Sequence, residues 1–180
     1  MRQTPSLTQR LVAGALAGIG GTFAMTAVMS RLHRRLPPER RYPLPPSEIV
    51  AATMPRASAR IFPALVMLGH FAYGAATGAL LALASPRPGP ATGALYGVGV
   101  WIASYLGWIP AARILKPATV HPPERNALMI AAHLVWGAAT ALAMAELRRG
   151  ETSVFASGRR VASAKRAPDL PRARRRRAVR

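Results

Sequence analysis

The sequence predicts an all-α integral membrane protein: a four-helix bundle built from two tandem transmembrane hairpins and followed by a disordered, Arg-rich tail. Three observations carry this prediction. The 25 basic and 6 acidic residues all lie outside four windows, 11–29, 61–84, 91–109 and 126–145. Each window holds about 20 residues, which at 1.5 Å rise cross a hydrocarbon core of roughly 30 Å. Three motifs occur twice in the same order along the chain. A soluble bundle would instead return polar residues every third or fourth position.

The repeats are specific. Gly14-Ala-Leu-Ala-Gly18-Ile-Gly20 is echoed by Gly93-Ala-Leu-Tyr-Gly97-Val-Gly99, and Pro37-Pro-Glu-Arg40 by Pro122-Pro-Glu-Arg125. His70-Phe-Ala-Tyr73-Gly74-Ala-Ala-Thr77 is echoed by His133-Leu-Val-Trp136-Gly137-Ala-Ala-Thr140. This order implies a duplication. Each half contributes two spans, so both halves enter the membrane the same way round, related by a pseudo-two-fold axis along the membrane normal.

The first window follows Arg2 and Arg10, which resembles the charged start of a signal peptide. Its apolar run exceeds the usual stretch of about 7–15 residues, and no small-x-small site follows directly, so it is expected to be retained. Gly14, Gly18, Gly21 and Met25 fall on one helical face. Small residues four apart let backbones approach closely, which in lipid replaces the missing hydrophobic drive between helices. The same spacing recurs as Gly74/Gly78, Gly93/Gly97 and Gly137/Ala141.

Residues 30–60 form a long basic loop with six prolines. Pro-Pro-Ser47-Glu48 reads as an N-cap opening a short interfacial helix that Pro55 stops. Pro63 sits in the first turn of the second window, where its missing N–H costs little. The connection Ser85–Pro90 is short enough to force the second and third spans antiparallel. Tyr105 and Trp108 suit an aromatic belt at the headgroups. Pro122-Pro123-Glu124-Arg125 opens the fourth span, and Glu39 and Glu124 are read as helix-start carboxylates.

Residues 1–147 are therefore expected to form the transmembrane domain and 148–180 the tail, which has too few large apolar residues to bury a core. Its arginines suit anionic lipid headgroups. With almost no aromatic residues to stack on bases, nucleic acid is disfavoured as a partner. Basic residues flank both sides of the spans almost equally, and the distal tail tips the balance toward both termini being cytoplasmic.

The suspect residues are His70, Tyr73 and Thr77 on one helix face and His133, Trp136 and Thr140 on another, each set at i, i+3 and i+7. The duplication puts the two imidazoles at one depth near the midplane. An imidazole there faces the bundle interior, a partner or water, and with an unperturbed pKa near 6.5 it can relay protons or sense acid. The plainer reading is that each ring bonds a neighbouring carbonyl or hydroxyl and specifies packing. Two His make a poor zinc site; Met67 and Met129, each about one turn before a His, are the sulfur ligands a copper(I) site would require. Cysteine is absent, which removes disulfides, thiolate nucleophiles and Cys-based zinc sites. No acid lies in any window, and no phosphate loop, Ser-His-Asp arrangement or paired-carboxylate motif occurs. Neither enzymatic activity nor a cofactor is expected.

Gly-x-x-x-Gly followed by Thr22-Phe-Ala-Met-Thr26, together with His70-x-x-Tyr73-Gly74 and His133-x-x-Trp136-Gly137, resembles the YagU-like group of small bacterial inner-membrane proteins over about residues 10–147. The resemblance implies a multi-pass protein of the bacterial cytoplasmic membrane and no molecular activity. Two function classes follow from the residues: a small channel, carrier or acid-responsive protein using the paired His faces, or a structural subunit that packs on membrane partners through its Gly faces. Four spans are few for a transporter, so a transporting form is expected to oligomerise.

Overall fold

The first helix begins where Ser6 caps it. Its hydroxyl accepts from Gln9 N–H while the Gln9 side chain accepts from Ser6 N–H, a reciprocal capping box. In this computed structural model, which describes residues 5–165, α1 runs Leu7–Arg35, with His33, Arg34 and Arg35 in the last turn, where the helix dipole favours cations. Then come a 3₁₀ turn at Pro38–Arg40, α2 (Pro45–Thr53), α3 (Phe62–Ala84) and α4 (Pro90–Ile102). A wide π-type segment, Ala103–Trp108, continues α4 into α5 (Ile109–Ala111); a second 3₁₀ turn at Ala118–Val120 precedes α6 (Pro123–Lys165). Every regular element among the described residues is helical.

Four stretches, Leu7–Arg35, Phe62–Ala84, Pro90–Ala111 and Pro123–Gly150, are long and apolar enough to cross a bilayer. By length and composition the chain is a multi-pass membrane protein. Large apolar side chains point outward along all four, among them Leu16, Phe23, Leu68, Leu80, Leu95 and Leu142. Hydrocarbon, not water, suits such a surface.

Glycine faces hold the spans in pairs. A Cβ at Gly14 would lie 2.6 Å from Gly78 O and from Ala82 Cβ, and one at Gly78 would press on Gly14 O and lie 2.7 Å from Gly18 Cα, so α1 and α3 meet backbone to backbone. Between α4 and α6 the interlock is the same: Gly93 abuts Gly137 O and Ala141, and Gly97 abuts His133 O. Gly21 then seats α1 against Thr140 and Trp136 O of α6. By contrast α3 touches α4 far less than it touches α1, and side chains bridge that seam, Tyr96 Oη donating to Thr77 O at 2.9 Å.

Three expectations need correction. The short helix in the first loop opens at Pro45, with Leu44 as N-cap; Ser47 is no cap, its hydroxyl donating back to Leu44 O at 2.6 Å. Proline at the first helical position is preorganised and gives up only an N–H that has no intrahelical partner. The helix ends at Thr53, just ahead of Pro55. The third span is not a regular helix to 109: Pro110 cannot donate to the carbonyl four residues back and its ring crowds that turn, and the π-type segment with Gly107 at φ −111°, ψ −108° stands directly before it. Tyr105 does not join an interfacial belt. It is 5% exposed and stacked on Trp101 in the core, whereas Trp108 is 44% exposed.

The last helix continues past the window at 126–145, its backbone remaining helical to Lys165. Extending an existing helix avoids the nucleation cost. The remainder of the expected tail, 166–180, lies outside the described residues.

Candidate functional site

A cavity of about 230 Å³ opens between the spans, bordered by residues of α1, α2, α3, α6 and the α4–α5 stretch. Its polar lining comes from Thr22, His70, Tyr73, Thr77, Ser104, Tyr105, Trp108, His133 and Trp136. Among the described residues no Asp, Glu, Lys or Arg borders it. The helix α2 contributes Pro46, Ile49 and Val50. The wide segment contributes Ser104, Tyr105 and Trp108, and π-type turns frequently mark functional positions in membrane and soluble helices alike.

The hydrogen bonds around the cavity are mostly local. His133 Nδ1 bonds Met129 O at 2.8 Å, one turn back on its own helix. His70 Nε2 lies 3.2 Å from Thr26 Oγ1, whose own proton goes to Thr22 O at 2.7 Å. The hydroxyls of Thr22, Thr77, Ser104 and Thr140 each donate to a carbonyl four residues earlier, at 2.7–2.8 Å. Such back-bonding satisfies a hydroxyl in an apolar medium without a second helix. Between helices, Trp136 Nε1 donates to Thr22 Oγ1 at 3.2 Å, and Tyr73 Oη meets Ser104 Oγ at 2.7 Å. Since Ser104 has given its proton to Val100 O, Tyr73 is the donor of that pair.

Beyond the cavity, α2 is fastened to α6. Arg125, 5% exposed overall, donates to both carboxylate oxygens of Glu48, and its guanidinium carbon sits 4.8 Å from the centre of the Tyr42 ring. Burial holds the Tyr42 phenol above its ordinary value near 10, with the Arg125 charge opposing that shift and Glu48 adding to it. Among the described residues the Tyr42 hydroxyl is buried without a partner. Arg40 and Glu124 pair at 2.8 Å on the surface.

Nothing among protein-family models, curated proteins or solved structures matches this chain. Geometry alone therefore carries the functional reading.

Of the six residues singled out in sequence, the structure brings His70, Tyr73, Thr77, His133 and Trp136 to the cavity. Thr140 does not reach it; fully buried, it packs against Gly21. A helical face is wider than one residue, and Thr140 lies on the part of α6 that meets α1 at Gly21. Gly14, Gly18, Gly74, Gly78, Gly93, Gly97 and Gly137 are spent on contacts within the chain. Met129 lines the cavity while Met67 is 49% exposed and is not among the cavity residues, so the two thioethers do not converge. Among the described residues no three His, Asp or Glu side chains group as metal ligands. Sequence reasoning passed over Thr22, Ser104, Tyr105 and the α2 wall. Thr22 and Ser104 were visible as hydroxyls inside apolar windows, while nothing local marks a loop helix as a cavity wall.

Proposed function

We propose that this protein is a small membrane carrier that takes a compact, largely apolar solute into the cavity between its spans. The observation that supports this is the convergence of both intramembrane histidines on one partly apolar cavity. A bundle held only for structural purposes gains nothing from such a space, because unfilled volume forfeits packing contacts. The alternative, a subunit docking on partners through its Gly faces, loses its stated surface, since those glycines already face one another inside the chain.

The same reading places the protein in the bacterial cytoplasmic membrane, as its resemblance to the YagU-like group implies, with both termini cytoplasmic. The Arg-rich tail is drawn to anionic lipid there. Two tandem copies of one hairpin account for the like-for-like glycine interlock of α1 with α3 and of α4 with α6. The small bundle works as an oligomer.

Because the chain has no cysteine, single introduced thiols test the cavity directly. In native membranes Tyr73→Cys, at a cavity-lining position that is 38% exposed, is expected to react with N-ethylmaleimide, and Leu81→Cys, 1% exposed in the core, is expected to stay unmodified. Equal inertness of the two would remove the accessible cavity and the carrier reading with it.

A further inference from the structure

The cavity wall has few protons left to give. A carbonyl only accepts, so the 2.8 Å contact to Met129 O fixes the His133 proton on Nδ1. In the neutral ring Nε2 is then a bare acceptor, and among the described residues it has no hydrogen-bond partner. Thr26 has committed its proton to Thr22 O, so His70 donates from Nε2 and its Nδ1 becomes the acceptor. The hydroxyls of Thr22, Thr77 and Ser104 are already donating to carbonyls, and the Trp136 N–H is taken by α1. The wall donors left are the Tyr105 hydroxyl, which can turn either way, and the Trp108 indole N–H.

We propose that the cavity takes an uncharged, largely apolar molecule bearing a hydroxyl, which donates to an imidazole lone pair of His133 or His70. This rests on the carrier reading and narrows its substrate class. An ionised ligand would meet no counter-charge on the wall and would be desolvated without compensation. A hydroxyl, unlike an ether or a ketone, both donates to an imidazole and accepts from Tyr105 or Trp108. A cavity of about 150 Å³ holds benzene, so 230 Å³ admits a two-ring aromatic or an alcohol of similar bulk.

The test uses the full-length chain in nanodiscs and two probes of one shape, 1-naphthol and 1-methylnaphthalene. Saturable binding is measured against empty nanodiscs and expressed per mole of probe in the lipid. The expected result is about tenfold tighter binding of 1-naphthol, with the gap narrowing in His133→Phe and in His70→Phe and vanishing in the double variant. Equal affinities in the wild-type protein overturn the hydroxyl assignment and leave the carrier reading standing. No saturable binding of either probe overturns both. A gap that persists in the double variant overturns the role of the imidazoles. Should His133→Phe fail to fold, the wild-type comparison and His70→Phe decide the matter.

Discussion

Arg125 reaches back across 77 positions of sequence to grip Glu48, and this ion pair ties the short helix α2 to the start of the fourth span. The Arg125 side chain is 7% exposed and that of Glu48 22%, so removing either partner leaves a largely desolvated charge behind. Glu48→Gln is expected to cost on the order of 3 kcal/mol, read as a lowered unfolding midpoint in detergent. The surface pair Arg40–Glu124, with side chains 62% and 44% exposed, sets the contrast: Glu124→Gln should shift the same midpoint by less than about 1 kcal/mol. Similar losses in both variants would mean that α2 is not held by its ion pair.

Glycine substitutions should separate packing from mere frequency. At Gly18 a Cβ would run into Gly74 O, a backbone atom that cannot swing aside, whereas at Gly69 it would meet nothing within 4 Å. Gly18→Ala is expected to destabilise by about 1–3 kcal/mol, and Gly69→Ala to be neutral or mildly stabilising through helix propensity. Thermal unfolding of the two variants side by side checks the order.

Thr22 is the polar hinge between α1 and α6. It donates to Gly18 O and accepts from Trp136 Nε1. A double-mutant cycle of Thr22→Val with Trp136→Phe should return a coupling of about 1 kcal/mol, the usual scale for interhelical hydrogen bonds in lipid. Additive losses would show that the indole is held by packing alone.

Tyr42 makes a prediction about alkaline pH. Its folded-state phenol lies above the ordinary value near 10 because of burial. The unfolded chain therefore gives up this proton first as pH rises. The stability it confers is fully present below pH 10 and falls as pH climbs from there through the folded value. Tyr42→Phe should flatten that limb of the stability profile, and at neutral pH should cost little, since the hydroxyl it removes is buried without a partner among the described residues. An unchanged alkaline slope would place the titrating group elsewhere.

The spans themselves were legible in the order of residues because length and freedom from charge are local properties, and a bilayer imposes them one helix at a time. Glycine spacing was readable for the same reason. The short helix in the first loop and the turn at 85–89 follow from near neighbours only, although the N-cap of that helix is Leu44 and not Ser47. Tyr105 was misread because its aromatic ring near a span's end has two outcomes, and the π-type segment before Pro110 coincides with the core position it takes.

What the sequence determined by itself was the number of spans, their all-helical character and which faces carry small residues, since each is a property of one continuous stretch, read within a single helix. Tertiary structure decided which glycine face meets which, that α2 folds over the bundle to wall the cavity, and where each proton points. Those outcomes depend on contacts such as Arg125 with Glu48 and Trp136 with Thr22, separated by 77 and 114 residues. No local pattern encodes such pairings, because they form only when the volumes and hydrogen-bonding needs of all four spans are met at once.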